Sequence, residues 1–292
     1  MRESDYDACM PGEAIWRCGP HVVPLGRRTL VMGIVNVTPD SFSDGGSHAN
    51  VDDAVKHAIQ MVADGAELVD VGGESTRPGS DVVAPEEEIH RVVPVIRRIV
   101  DELPDVPVSI DTRKPAVARA ALEGGASIVN DVSAGADPAM FGVVGEAGAG
   151  MVLMHMKGEP KTMQDDPSYY DVVAEVRGFL GDRVEAALAA GIDRERLCID
   201  PGIGFGKTLE HNLTILHDIR AFHHLAVPVL VGPSRKRFIG TLTDTDVDDR
   251  IEGTAGVVAW CAAEGVDIVR VHDVKEMTRV VRVVDAIARP AG

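Results

Sequence analysis

The sequence predicts an α/β protein built as a single (β/α)8 barrel of the TIM type, and three observations favour that fold. Eight short, mostly apolar runs are separated by helical patterns, they read as continuous rather than alternating, and they lead to polar or charged residues. A continuous apolar run is typical of a strand buried on both faces, as in a parallel sheet covered by helices. In such a barrel the carboxyl ends of the strands surround the active site.

The eight predicted strands follow one another along the whole chain. They occupy residues 30–35, 68–71, 106–110, 128–129, 151–154, 197–199, 227–231 and 268–269. The polar residues at or just after their ends include Asn36, Asp111, Asn130, His155, Asp200, Lys236 and Arg270. Because the strands of a barrel run parallel, we expect these side chains to project into one mouth.

Helical patterns fill the spaces between the strands. The predicted helices cover residues 51–63, a segment from Pro85 onward, and residues 115–122, 138–146, 170–190, 209–222, 247–264 and 274–288. Asp273 and Glu276 stand at capping-box spacing before the last helix. Residues 1–25 contain several prolines and glycines and predict an N-terminal extension, either irregular or a hairpin closing the barrel bottom. Residues 26–292 then form the barrel domain.

Composition excludes several classes of partner. The 292 residues carry 29 basic and 46 acidic side chains, a net charge of −17, so nucleic acid and anionic membranes are not expected partners. No apolar run approaches the roughly 20 residues of a membrane span, and the first residues do not resemble a signal peptide. The four cysteines lack Cys-x-x-Cys spacing. We therefore expect a reduced, cytoplasmic protein.

Asp111, Asn130 and Asp200 end three of the predicted strands. Each could be a helix N-cap, and the two carboxylates could also form a catalytic acid and base. Together, two acceptors and one amide match a flat heterocycle with a guanidine-like edge, because buried polar groups need partners.

A second group of strand-end residues is basic or neutral. Lys236 could form a Schiff base, or could donate to a ring carbonyl. Arg270 and His272 suit a phosphate or diphosphate, and Asn36 could hold an Mg²⁺ ion that such an anion carries in.

Residues of the two long loops after the first and second strands complete the candidate site. Phe42, Thr76, Arg77 and Pro78 offer apolar contact and one positive charge. A small aromatic acid would suit that pocket. Met154 is expected to pack under a ring.

Five strings resemble the dihydropteroate synthase family. They are VNVTPDSFSDGG at 35–46, GESTRPG at 73–79, DPGIGFGK at 200–207, SRK at 234–236 and RVHD at 270–273, and the similarity extends from about residue 28 to 288. The resemblance implies condensation of (7,8-dihydropterin-6-yl)methyl diphosphate with p-aminobenzoate, giving dihydropteroate and diphosphate in folate biosynthesis. It also implies a homodimer formed through the last two helices, and competition by sulfonamides.

The resemblance implies a role for each matching residue. The pterin would be held by Asp111, Asn130, Met154, Asp200, Phe205 and Lys236. The diphosphate would be held by Asn36, Arg270 and His272, with Mg²⁺ on Asn36. The p-aminobenzoate would be framed by Phe42, Thr76, Arg77, Pro78, Ser234 and Lys236. The catalytic groups would be Asp44, Lys236, Arg270 and His272.

Three other functions remain open from the residues. A pterin-binding methyltransferase barrel could share the heterocycle ligands without the anion site formed by Arg270 and His272. A Schiff-base aldolase could use Lys236. A pterin-binding protein without catalysis is the third alternative.

Overall fold

The computed structural model describes residues 14–37, 47–75, 82–159 and 161–289, with the backbone alone at 47–50. Two short strands, β1 (Ile15–Cys18) and β2 (His21–Pro24), pair as an antiparallel hairpin. The other strands form one parallel sheet. These are β3 (Leu30–Asn36), β4 (Leu68–Gly72), β5 (Val108–Asp111), β6 (Ile128–Asp131), β7 (Gly150–Met154), β8 (Leu197–Asp200), β9 (Leu230–Val231) and β10 (Ile268–Val271).

The sheet closes into a barrel. Its strand order is β8-β7-β6-β5-β4-β3-β10-β9, and a parallel bridge between Ile199 and Val229 joins the two ends. The predicted (β/α)8 fold is therefore confirmed, including the pairing of its first and last strands, β3 and β10.

Helices surround the sheet. They are α1 (Ser47–Asp64), α2 (Pro85–Glu102), α3 (Pro115–Glu123), α4 (Ala139–Ala147), α5 (Val172–Ala189), α6 (Leu209–His217), α7 (Arg237–Thr243), α8 (Ile251–Ala263) and α9 (Val274–Ala288). In the described part of the chain, no helix is long and apolar enough to cross a membrane.

Three helix predictions were wrong in detail. The predicted helix 209–222 is α6 followed by a 3-10 helix at Ile219–Leu225, and the seven-residue α7 was not predicted. The predicted helix 247–264 begins at Ile251, because the Arg250 guanidinium holds a turn by donating to the carbonyl oxygens of Arg235 and Thr245. Asp273 stands at the N-cap of α9 but makes no side-chain cap.

The hairpin covers the amino-terminal end of the barrel. Trp16 and Cys18 are buried in one apolar cluster with residues of the barrel interior, among them Leu68, Ile128, Cys198 and Ile268. The indole Nε1 of Trp16 also donates to the carbonyl oxygen of Arg196 at 2.9 Å. Of the predicted extension 1–25, the described residues thus lie against the barrel bottom.

The two-residue period of the strands explains why polar side chains face the barrel interior at its carboxyl end. Side chains two positions apart point to the same face, so Asp70 follows Leu68, Asn130 follows Ile128, Asp200 follows Cys198 and Arg270 follows Ile268 on the interior face. An apolar layer therefore fills the barrel bottom, and a polar layer lies above it at the carboxyl ends.

Candidate active site

A cavity of about 1010 Å³ opens at the carboxyl ends of the strands. Seven residues proposed from the sequence line it: Asn36, Asp111, Phe205, Ser234, Lys236, Arg270 and His272. Asn130, Met154 and Asp200 lie at the ends of β6, β7 and β8, nearly enclosed and outside the cavity lining. Phe42, Asp44, Thr76, Arg77 and Pro78 lie outside the described residues.

Arg270 joins two carboxylates at the centre of the polar layer. Its Nε donates to Asp70 Oδ2 at 2.6 Å and its Nη2 donates to Asp111 Oδ2 at 2.7 Å. Asn130 Nδ2 also donates to Asp70 Oδ2, at 3.0 Å. Asp111, a predicted heterocycle ligand, is therefore in direct contact with Arg270, the predicted anion ligand, and Asn130 shares Asp70 with Arg270.

Asp70 was missed by the sequence reasoning because it interrupts the apolar run at 68–71 rather than ending it. A charged residue within a run that is expected to be buried on both faces is the signal that could have found it. It is fully buried, and burial of a carboxylate is tolerated where it is paired and hydrogen-bonded.

Two buried carboxylate oxygens in this layer have no hydrogen-bond partner among the described residues: Asp70 Oδ1 and Asp111 Oδ1. Burial raises the pKa of Asp111 to about 7, although the neighbouring Arg270 guanidinium lowers it. Acceptors left without a donor in a buried position favour a ligand that brings N–H groups.

Asp200 begins the glycine-rich segment that ends at Lys207. Its Oδ1 accepts a hydrogen bond from the backbone N–H of Gly202 at 2.7 Å. Burial raises the pKa of Asp200, while the Gly202 N–H and the nearby Lys236 ammonium lower it. Gly202 has a φ of +68°, and a Cβ there would overlap the carbonyl oxygen of His155. This close approach explains the glycine.

Lys236 and Phe205 form the cavity wall above Asp200. The Lys236 ammonium lies 3.9 Å from the centroid of the Phe205 ring, a cation–π contact. Burial lowers the pKa of Lys236 to about 8, although Asp200 and Asp111 favour its charged form. The amine therefore faces the cavity with part of its charge lost above neutral pH.

Lys207 is a second buried lysine, and the sequence reasoning did not assign it a role. Its Nζ donates to the carbonyl oxygens of Gly202 and Phe205 at 2.9 and 3.0 Å, and lies 2.9 Å from His155 Nδ1. Burial lowers the pKa of Lys207 to about 7, and burial also lowers the pKa of His155, to about 3. Lys207 thus fastens the segment carrying Phe205 to the end of β7.

The buried Lys207 should make stability depend on pH. Since the unfolded state keeps the ordinary lysine pKa of 10.5, it binds more protons than the folded state between pH 7 and 10. Stability should therefore rise with pH in that interval. Between pH 7 and 9 the free energy of unfolding of the parent protein should rise by up to about 2 kcal/mol more than that of Lys207→Met.

Urea denaturation followed by circular dichroism at pH 7, 8 and 9 measures this difference. Lys56→Met, which removes an exposed lysine of α1, is the control and should follow the parent protein. Equal pH dependence in Lys207→Met and the parent protein would contradict the buried, neutralised state of Lys207.

Ser234 and His272 are hydrogen-bonded across two adjacent loops. Ser234 Oγ accepts from the backbone N–H of His272 at 3.1 Å and lies 3.0 Å from its Nδ1. The segment after β9 and the segment after β10 are therefore joined at the rim of the cavity.

A buried ion cluster lies around Lys114, the residue before α3. Lys114 Nζ donates to Glu74 Oε2 at 2.6 Å, to the buried Glu88 and to the carbonyl oxygen of Val83. Glu74 in turn accepts from the backbone N–H of Val83 at 2.7 Å. Residues on both sides of the segment 76–81 are thus fixed to one another.

Among the described residues, no group of three or more His, Cys, Asp or Glu side chains could hold a metal ion. Asn36, at the end of β3, offers one neutral amide oxygen to the cavity. A single such ligand fits an Mg²⁺ ion that takes its remaining ligands from water and substrate phosphates.

Comparisons with known proteins agree with this geometry. A family profile described as pterin binding enzyme matches residues 32–272. The dihydropteroate synthase of Escherichia coli (strain K12) is 48% identical over 256 residues, which cover 88% of this chain and 90% of that protein.

Two solved structures are similar over nearly their full length. The Xanthomonas albilineans dihydropteroate synthase with 4-aminobenzoic acid superposes with a TM-score of 0.89 at 45% identity, covering 96% of this chain and 100% of that one. The Yersinia pestis enzyme in a sulfonamide drug complex gives a TM-score of 0.88 at 41% identity, covering 94% and 98%. The chain belongs to the pterin-binding enzymes and, among them, to the dihydropteroate synthases, the transferases that make dihydropteroate in folate biosynthesis.

Proposed function

We propose that this chain joins (7,8-dihydropterin-6-yl)methyl diphosphate to p-aminobenzoate in the cavity at the barrel mouth. The observation that carries the proposal is the pair of buried oxygens of Asp70 and Asp111, beside Arg270, that have no hydrogen-bond partner in the described part of the chain. A pterin ring supplies N–H donors along its guanidine-like edge, and those oxygens are acceptors.

The pterin lies in the polar layer. Asp111, Asn130 and Asp200 bind its polar edge, and the Lys236 ammonium donates to its ring carbonyl. Phe205 and Met154 pack around the ring. The burial of Asn130 and Asp200 in the same polar layer as Asp111 supports this assignment, because enclosed polar groups favour a ligand that brings hydrogen-bond partners.

The diphosphate lies at the ends of β3 and β10. Arg270 uses Nε and Nη2 for the two carboxylates, and Nη1 donates to no described residue in the structure. Nη1 and the imidazole of His272 bind the leaving group, where preorganised donors stabilise developing charge. Asn36 would hold an Mg²⁺ ion at this position, and the ion would supply charge neutralisation for the diphosphate.

The p-aminobenzoate binds towards the outside of the cavity, framed by Phe42, Thr76, Arg77, Pro78, Ser234 and Lys236. The bond between the pterin methylene and the diphosphate oxygen breaks, and the neutral aromatic amine then forms the new carbon–nitrogen bond. Asp44 stabilises the electron-poor methylene between these events. The amine proton leaves with water or the departing diphosphate, so no strong general base is required.

The reaction is tested by measuring dihydropteroate formation from the two substrates, with and without Mg²⁺. We expect product and diphosphate in equal amounts, a strong loss of rate when Mg²⁺ is chelated, and inhibition by a sulfonamide that p-aminobenzoate relieves. Binding of the pterin diphosphate without turnover would contradict the proposal.

The dissociative order of events has a separate test. Oxygen exchange within the pterin diphosphate, or its solvolysis, should occur without p-aminobenzoate. Strict dependence of diphosphate release on p-aminobenzoate would contradict that order.

We also propose a cytoplasmic homodimer. The buried thiols of Cys18, Cys198 and Cys261 support a reducing compartment. The proposed dimer contact lies between α8 and α9 of two copies of the chain. It is supported by exposed apolar side chains on these helices, those of Trp260, Val283 and Ile287. Sedimentation equilibrium should give twice the chain mass, and Ile287→Glu should shift it towards the monomer.

A further inference from the structure

Arg235 and Asp273 form a bidentate ion pair across the two loops that carry Ser234 and His272. Arg235 Nε donates to Asp273 Oδ2 at 3.0 Å, and Nη2 donates to Asp273 Oδ1 at 2.6 Å. The Asp273 side chain is largely shielded from solvent, since only 14% of it is exposed. Two parallel N–H···O bonds fix orientation as well as distance.

The backbone of Arg235 is held in an unusual conformation. Its φ is +56°, a left-handed value that is costly for a residue with a side chain. Its N–H donates to Thr254 Oγ1 at 3.2 Å, and its carbonyl oxygen accepts from Arg250 Nη1 at 3.0 Å. The surrounding structure therefore determines the direction in which the chain passes through this residue.

The residues next to this ion pair line the cavity, and Arg235 itself also lines it. Ser234 and Lys236 flank Arg235, and His272 precedes Asp273. Ser234 Oγ is itself bonded to His272, and the Lys236 ammonium lies over Phe205. The ion pair therefore joins the wall assigned to p-aminobenzoate to the wall assigned to the diphosphate.

We propose that Asp273 is a positioning residue that acts through Arg235, holding Ser234, Lys236 and His272 in one rigid arrangement for both substrates. The assignment of the two walls rests on the proposed function, whereas the mechanical link rests on the ion pair alone. Small displacements of positioned groups reduce rates steeply, by as much as about 10²-fold for 1 Å.

The test compares Asp273→Asn with Asp248→Asn. Asp248 is the matched control, because its carboxylate lies 3.8 Å from Arg235 Nη1 and its side chain is 91% exposed. Asp273 makes no side-chain cap, so Asp273→Asn tests the ion pair without removing a capping hydrogen bond from α9.

We expect Asp273→Asn to lower kcat and to raise KM for p-aminobenzoate, each by about 5- to 10-fold. The combined loss in kcat/KM is then up to about 10²-fold, as expected when a positioned group moves by about 1 Å. It should also weaken calorimetric binding of inorganic pyrophosphate with Mg²⁺ by about 5-fold, with melting temperature nearly unchanged. Asp248→Asn should match the parent protein in every measurement. Arg235→Lys, which cannot form the bidentate pair, should reproduce Asp273→Asn, and the double variant should add little.

The outcomes separate this inference from the proposed function. A parent protein without synthase activity would overturn the function, while a weaker pyrophosphate affinity in Asp273→Asn would still support the link. An active parent protein with Asp273→Asn equal to Asp248→Asn would overturn the link. It would also be overturned if activity fell only in proportion to the unfolded fraction.

Discussion

Replacement of Arg270 by methionine is expected to lower kcat/KM by about 10²–10³-fold, the effect of removing one donor to developing charge. It should also destabilise the fold by about 3–5 kcal/mol, because it leaves buried carboxylates without their cation. Arg270 bridges Asp70 and Asp111, and methionine keeps an unbranched apolar stem without any hydrogen-bond donor. Turnover assays and urea denaturation measure the two effects separately.

The stability loss has a predictable dependence on pH. Burial already raises the pKa of Asp111 to about 7 with Arg270 present, and loss of the guanidinium would raise it further. A raised pKa makes the folded state bind more protons than the unfolded state, so the variant should regain stability as pH falls from 8 to 5. If the stability of Arg270→Met did not change with pH, this would contradict the claim that Arg270 compensates a buried Asp111 carboxylate.

A second variant, Asp70→Asn, separates the effect of Arg270 on stability from its effect on catalysis. Combined with Arg270→Met, it removes one of the two uncompensated charges, and the amide oxygen can still accept from Asn130. We expect the double variant to recover part of the lost stability and none of the activity. Recovery of activity with stability would show that Arg270 acts through folding alone.

Asp200→Asn is expected to weaken pterin binding by about 10- to 100-fold, the value of one hydrogen bond to a charged group. The amide oxygen can still accept from the Gly202 N–H, so the turn after β8 should keep its shape. Calorimetric titration with a pterin substrate analogue measures the affinity. The KM for p-aminobenzoate should change much less.

Asp267→Asn is the matched control for this change. Asp267 is also buried and also accepts a backbone N–H, that of Val229 at 2.9 Å, but it lies at the amino-terminal end of β10. Burial raises the pKa of Asp267 to about 6. Asp267→Asn should therefore alter stability without altering pterin affinity. Equal losses of affinity in both variants would show that the effect is not local to the barrel mouth.

Local patterns in the sequence were sufficient to predict the barrel and many of the residues at its mouth. Continuous apolar runs report burial on both faces, and strand ends can be located to within about two residues, so Asn36, Asp111 and Asp200 could be placed at the carboxyl ends. The five family strings added the reaction and the substrates, which periodicity alone left open.

Contacts between distant residues could not be predicted from these patterns. Arg270 is separated by 200 positions from Asp70 and by 159 from Asp111, and their ion pairs exist because the barrel closes β10 beside β3. The capping box predicted for Asp273 failed for the same reason: Arg235, 38 positions away, binds its carboxylate instead.

The sequence by itself thus determined several of the side chains that reach the barrel mouth, because strand periodicity is a local property of the chain. The tertiary structure alone decided which of these charges neutralise one another, which buried oxygens are left for a ligand, and that Lys207 is held by carbonyl groups. Each of these depends on distances across a closed barrel, where burial makes every missing partner costly.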